Sequence, residues 1–198
     1  MTTKKNQLIT TAFELFYYNG IHAVGINKIL EVSGIAKKTL YNHFQSKEEL
    51  IEATLTFRDV QYRNWLYERV NEAPKGIERI HALFDALDDW FNNRVCHFQL
   101  FRGCFFINTS AEFGDPSTKI NQVCVAHKTE IRRFIKTQVS ELNIQPHHLE
   151  LITDSIQLLK EGAITIAAVQ EDCHIAEKAK KSALLIIDAY SNSAIHKG

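Results

Sequence analysis

The sequence predicts an all-α protein: a small N-terminal bundle of three helices followed by a larger helical domain. Apolar residues recur at three- and four-residue spacing along most of the chain, which is the repeat of a single helix face. The 198 residues include only three prolines and eight glycines, and these punctuate the periodic stretches. No stretch alternates apolar with polar residues as a half-buried strand does. A chain of this length can bury a genuine core.

Leu8, Ile9, Ala12, Phe13 and Phe16 give a first helix one apolar face, and Gly20 can end it in a left-handed conformation. Ile26, Ile29 and Leu30 mark a short second helix, broken at Ser33-Gly34. Leu40 and Phe44 share a face of a third short helix. Ser46-Lys47-Glu48-Glu49 reads as a capping box that opens a long fourth helix, because Ser46 can accept an N–H of the first turn while Glu49 reaches back. Pro74, Pro116 and Pro146 each suit a first helical position, and Asp115 is a good N-cap before the second of them. Further helices are expected near 75–95, 99–112, 116–142, 146–170 and 174–195. The domains are placed at 1–48 and 49–198.

Lys plus Arg number 23 and Asp plus Glu 23, so the net charge is zero. That excludes a chain coated in nucleic acid and leaves room for a local basic patch. The apolar runs are too short for a membrane span, and Met1-Thr2-Thr3-Lys4-Lys5 leads into no apolar signal region. A cytoplasmic protein without a membrane partner is expected. Cys96, Cys104, Cys124 and Cys173 form no C-x-x-C pair and are expected to be reduced, most of them in the core.

The segment 25–44 is the most informative. Two short helices meeting at Ser33-Gly34-Ile35 form a helix-turn-helix, whose second helix lies in the DNA major groove. Glycine at 34 permits the positive φ of such a turn. Ile29, Leu30, Ile35, Leu40 and Phe44 would lock the pair onto the first helix. Lys37, Lys38, Thr39, Tyr41, Asn42 and His43 then face outward, as phosphate and base contacts require. Residues 1–50 hold six lysines against four glutamates, a net of +2 that agrees with this. A Lys-Lys pair by itself would be only a solvated face.

Gly20 through Leu50, GIHAVGINKILEVSGIAKKTLYNHFQSKEEL, resembles the DNA-binding region of TetR-type repressors. The specific part runs from Thr39 to Leu50, and Ala12, Leu15, Phe16 and Gly20 match the first-helix pattern upstream. The resemblance covers about the first quarter of the chain. Val24-Gly25 stands where the family has a Thr-Ser pair, Ala36 where a serine caps, Lys38 where glycine is frequent and Asn42 where histidine is. The resemblance implies that Tyr41 and Lys47 hold phosphates. It makes Lys28, Lys37, Lys38, Thr39, Asn42 and His43 candidates for backbone or base contacts. Lys47 would lie in the first turn of the fourth helix, where exposed N–H groups favour an anion. Palindromic operator DNA, a homodimer, a small-molecule effector held in the C-terminal domain and no cofactor are also implied.

Two recognition helices about 34–36 Å apart are needed to read a palindrome, so the C-terminal part should dimerise. The helices 146–170, with Leu151, Ile152, Ile156, Leu159, Ala163, Ile164 and Ala167, and 174–195, with Ala176, Ala179, Ala183, Leu184, Ile187 and Tyr190, suit that role or an intramolecular core. Rings crowd the stretch from Phe84 to Phe113 and could line an effector pocket, with Trp90, Phe101, Cys104, Phe105 and Asn108 as candidates; the same rings would serve a plain core. The segment around Arg102-Gly103-Cys104 resembles a Gly-Cys stretch of one subgroup that responds to electrophiles or oxidants. Arg102 or a helix N-terminus would activate the thiol, and the alternative is an inert buried cysteine. Cys124 and His127 lie one turn apart with no second pair, so no metal is expected. No phosphate loop or nucleophile motif occurs, and Asp88-Asp89 suits a solvated face, so an enzyme is not expected. The competing function is a helical protein-interaction adaptor without DNA binding.

Overall fold

The computed structural model describes residues 3–191. Nine α-helices occur among them: α1 (Lys4–Asn19), α2 (Ile26–Ser33), α3 (Lys37–His43), α4 (Lys47–Asn71), α5 (Ile77–Phe91), α6 (Phe105–Glu112), α7 (Lys119–Val139), α8 (Leu149–Gln170) and α9 (Ile175–Ala189). A single 3₁₀ turn, Pro146–His148, precedes α8. The described residues contain no strand, only an isolated bridge between Ile144 and Ser191.

The chain forms two compact units. Of the described residues, the first holds those up to Tyr62 together with Cys104–His127, and the second holds Arg63–Gly103 with those from Lys128 to Ser191. The boundary placed after residue 48 therefore falls inside the first unit, in the first turn of α4. Leu50, Ile51 and Leu55 of α4 are buried with Leu8, Phe13 and Phe16 of α1, Ile29 of α2 and Leu40 of α3. α6 joins the same core through Phe105, whose ring stands edge-on to Phe13 at 5.2 Å and to Tyr17 at 6.2 Å.

Local capping explains where the N-terminal helices begin. Thr3 Oγ1 accepts the Asn6 N–H at 3.2 Å and starts α1. Ser46 Oγ accepts the Glu49 N–H at 3.2 Å and starts α4, while Glu49 Oε2 accepts the N–H of Gln45 at 2.6 Å. The reciprocal arrangement is the expected one, shifted by one residue on the glutamate side.

The middle of the chain departs from the expected helices. The helix expected over 75–95 ends at Phe91, and the one expected over 99–112 begins only at Phe105. Asn92 Nδ2 turns back to Asp88 O at 2.9 Å, Asn93 adopts a left-handed φ of 58°, and the Arg94 guanidinium folds onto Asp88 and Asp89. Asn93 Oδ1 then holds the Phe101 N–H at 2.6 Å, which fixes a non-helical loop. The prolines also stand further upstream than expected. α5 begins after Gly76, whose φ is 94°, and Pro146 opens the 3₁₀ turn rather than α8. Asp115 caps the Ser117 N–H at 2.9 Å in a turn, and Thr118 Oγ1 takes the Asn121 N–H at 3.2 Å to begin α7. α9 ends at Ala189; residues 192–195 of the helix expected there lie outside the described residues.

Among the described residues, Arg58 and Lys160 are buried cations, one in each unit. The Arg58 guanidinium lies 5.5 to 6.0 Å from the Phe13, Tyr17 and Tyr62 ring centres, and its Nη1 donates to Gln61 Oε1 at 2.8 Å. Desolvation lowers its pKa from the ordinary arginine value. In the second unit Lys160 is buried and donates to Glu161 Oε1 at 2.8 Å, while Lys128 donates to Glu161 Oε2 at 2.6 Å. Burial works to raise the Glu161 pKa, but Lys160 and Lys128 outweigh it and hold the carboxyl at about 2.

Because that pKa lies below the ordinary 4.5, ionised Glu161 stabilises the fold fully above about pH 4.5, and the contribution disappears as pH falls towards 2. Glu161→Gln should lower stability at pH 7 by about 3 kcal/mol, the cost of leaving a buried cation without its partner. The difference from the parent should shrink between pH 4.5 and 2. Urea unfolding across that range is the measurement; equal stability at pH 7 contradicts the assignment.

Candidate nucleic-acid interface

α2 and α3 meet at a corner built on Gly34, which has φ 66° and ψ 14° and returns its N–H to Leu30 O at 3.0 Å. A Cβ at Gly34 would meet nothing within 4 Å, so the demand for glycine there is purely conformational. Ser33 Oγ accepts the Ile35 N–H at 3.3 Å, and Gln7 Nε2 of α1 donates to Ser33 O at 2.9 Å, tying the corner to the first helix. Of the five residues expected to lock the pair onto α1, Ile29, Ile35, Leu40 and Phe44 are buried and Leu30 is only half-buried. Neither Gly25 nor Ala36 supplies a side-chain cap, which matches the hydroxyls missing from these positions.

The outward face of α3 carries Lys37, Lys38, Tyr41, Asn42 and His43, all exposed, with Thr39 half-buried beside them. Lys37 Nζ lies 6.0 Å from the Tyr41 ring centre. No acidic residue occurs on this helix. The surface is cationic and rich in donors, with one ring able to pack against a sugar or base edge.

The other two candidate lysines are placed differently. Lys28 is exposed but paired with Glu31 at 3.0 Å along α2, so its charge is locally balanced. Lys47 is half-buried; its Nζ donates to Ile21 O at 2.6 Å and lies 5.8 Å from the Phe16 ring centre. One of its three donors therefore braces the loop between α1 and α2. Sequence reasoning missed Glu112, the last residue of α6. Its Oε1 accepts the Ile21 N–H at 2.8 Å, and its Oε2 accepts the His22 N–H at 2.7 Å and sits 3.1 Å from His22 Nδ1. The His22 ring stacks on Phe113 at 4.7 Å. The Ile21 residue is thus held at its N–H by Glu112 and at its carbonyl by Lys47. No local signal announces a contact spanning 91 positions of sequence.

The residues expected to sense an effector divide between the units. Trp90 and Phe101 belong to the second, and Cys104, Phe105 and Asn108 to the first. Trp90 is buried among Trp65, Phe98 and Phe101, with ring centres 6.4, 6.5 and 4.9 Å away. Phe105 is core, Asn108 is exposed, and Cys104 is 6 % exposed at the N-cap of α6. Cys96 is the exposed thiol. Between α8 and α9 runs an apolar groove of about 460 Å³, lined by Leu158, Leu159, Gly162, Ala163, Ile166 and Ala179 among others. Leu158, Val169 and Leu185 are exposed on the same two helices. Among the described residues no group of three or more His, Cys, Asp or Glu is placed to hold a metal, and no helix is long and apolar enough to cross a membrane.

Residues 8–54 match the family model described as bacterial regulatory proteins, tetR family. Residues 76–185, more than half of the chain, match the tetracyclin repressor-like C-terminal domain. Among curated relatives, the transcriptional activator FasR of Mycolicibacterium smegmatis is 29% identical over 90 residues, covering 46% of this chain and 41% of that protein. The transcriptional repressor KstR2 of Mycobacterium tuberculosis is likewise 29% identical over 90 residues, covering 43% of each. The chain thus spans less than half the length of these relatives. A solved TetR-family transcriptional regulator from Streptomyces coelicolor has the same fold, with a TM-score of 0.84 at 24% identity and 96% coverage of both chains.

Glu112→Ala leaves the Ile21 N–H, part-buried, without its acceptor. The expected loss is about 1–2 kcal/mol in urea unfolding, against less than about 0.5 for the exposed control Glu31→Ala. Equal effects of the two substitutions contradict the bracing role.

Proposed function

Because the chain belongs to the TetR family of bacterial regulatory proteins, we propose that it is a DNA-binding transcriptional regulator. As a homodimer it sets α3 of each copy into successive major grooves of a palindromic operator. The observation that carries this reading is the acid-free outer face of α3, exposed on a helix whose other side is locked into the core. Lys37, Lys38, Tyr41, Asn42 and His43 make the contacts, with Thr39 at their edge, while Lys47 orients the corner and offers its remaining donors to phosphate. Occluding a promoter makes it a repressor, and a small molecule bound in the C-terminal part releases it. Effector binding is favoured over thiol modification because Cys104 is only 6 % exposed. The protein works in the cytoplasm, as a binder rather than a catalyst. The α8–α9 face, with its small-residue groove and exposed Leu158 and Leu185, supplies the dimer contact.

Fragments selected from the source genome by the purified protein identify the operator. Lys37→Ala with Tyr41→Ala should then weaken operator binding at least tenfold with helicity unchanged, and should flatten the dependence of affinity on salt. Unaltered affinity removes α3 as the reading helix. Binding insensitive to salt favours an adaptor instead.

Leu158→Glu with Leu185→Glu places charges on the proposed dimer face. Sedimentation at micromolar concentration should show dimers for the parent and monomers for the variant; a variant that stays dimeric moves the interface elsewhere.

A further inference from the structure

The Lys160 side chain is 1% exposed, yet its ammonium, with three donors, has one acceptor: Glu161 Oε1 at 2.8 Å. That carboxylate is shared. Its Oε2 takes Lys128 Nζ at 2.6 Å, and its Oε1 also takes Gln157 Nε2 at 3.3 Å. The remaining polar atom of the cluster, Gln157 Oε1, is buried with no donor. A buried charge whose donors lack acceptors is costly, and a Met or Leu at 160 would pack the same space more cheaply. Such a site is a candidate for binding.

We propose that Lys160 and Gln157 recognise a small organic carboxylate that also carries a hydroxyl or amino donor; this rests on the effector reading above and names the chemical class of the effector. The ligand carboxylate accepts from the unused donors of Lys160, and its hydroxyl or amine donates to Gln157 Oε1. Both protein groups converge on the one oxygen, Glu161 Oε1, so a molecule of a few carbons spans them. Such a ligand gives Lys160 a negative partner of its own, where it now shares one with Lys128. Access is from the α7–α8 side, where the Glu161 and Lys128 side chains that share the cluster are 23% and 27% exposed. A neutral apolar effector would leave Lys160 and Gln157 as they are, whereas an amino or hydroxy acid satisfies both.

The test uses the full-length protein with two panels. One is a set of sodium salts of hydroxy and amino acids, from lactate to salicylate and glutamate; the other holds the matching uncharged amides. Thermal shift and operator release are both read. Acids, and not their amides, should raise the melting temperature saturably and weaken operator binding at least tenfold. Lys160→Met, close in volume, should abolish the response to acids while keeping operator affinity. Gln157→Leu, a second variant less exposed to folding failure, should weaken hydroxy acids at least fivefold and leave plain acids such as propionate unchanged. Binding by no acid, or an equal response in Lys160→Met, overturns the proposal. Release by amides alone overturns it and leaves the effector reading standing. Acid binding that depends on Lys160 without operator release supports the site and overturns the effector reading.

Discussion

Neither half of the recognition corner can hold its shape alone. α2 has eight residues and α3 seven, well below the length at which an isolated helix is stable in water. Their structure depends on the apolar contact with α1, through Ile29, Leu40, Ile35 and Phe44. That contact fixes which residues of α3 face outward, so the core of the first unit sets the chemistry of its surface. The polar links act on the same frame. Gln7 holds the corner at Ser33 O, while Glu112 and Lys47 hold the preceding loop at the two sides of Ile21. For the proposed DNA binding, a headpiece secured in this way is ordered beforehand, so little entropy is lost on association.

The neutral total charge hides how unevenly the cations are deployed. Lys28 is balanced by Glu31, and Lys47 spends a donor on Ile21 O, so neither presents a bare charge. Lys37 and Lys38 lie on a helix without acids and do. Lys38 stands where the resemblance leads one to expect glycine. It adds one positive charge to the face, while the N-cap positions 25 and 36 carry no hydroxyl. In the proposed complex, an added charge on α3 and absent hydroxyls at positions 25 and 36 shift the balance towards phosphate attraction, the component most sensitive to salt.

The first four helices were legible because their signals are local. Periodicity, the glycine at 34 and the serine at 46 act within a turn of themselves, and the structure places the corner and the start of α4 there. The stretch from Asn92 to Cys104 was illegible for the opposite reason. Its residues have helical spacing and many rings, yet Asn93 turns left-handed and its side chain captures the Phe101 N–H. Proline positions misled because a residue fit for a helix start is equally fit for the turn before it, as Pro116 and Pro146 show. The candidate site divided the same way. The face of α3 follows from a repeat, while Glu112 enters through a contact no spacing encodes, and the burial of Cys104 follows from where α6 packs.

The two buried cations show why one is a finished structural element and the other is not. Arg58 spreads its charge over a planar guanidinium, and three ring faces within about 6 Å offer it the negative side of their quadrupoles. Such a group tolerates a low-polarity setting. The ammonium of Lys160 is a compact charge that needs discrete oxygens, and it has half a claim on one carboxylate. Two lysines pulling on that one carboxylate lower the Glu161 pKa despite its burial. Burial of an arginine among rings can be explained by packing alone. Burial of a lysine beside a donorless amide oxygen is a cost that packing does not recover, and a ligand supplying both an anion and a donor removes it.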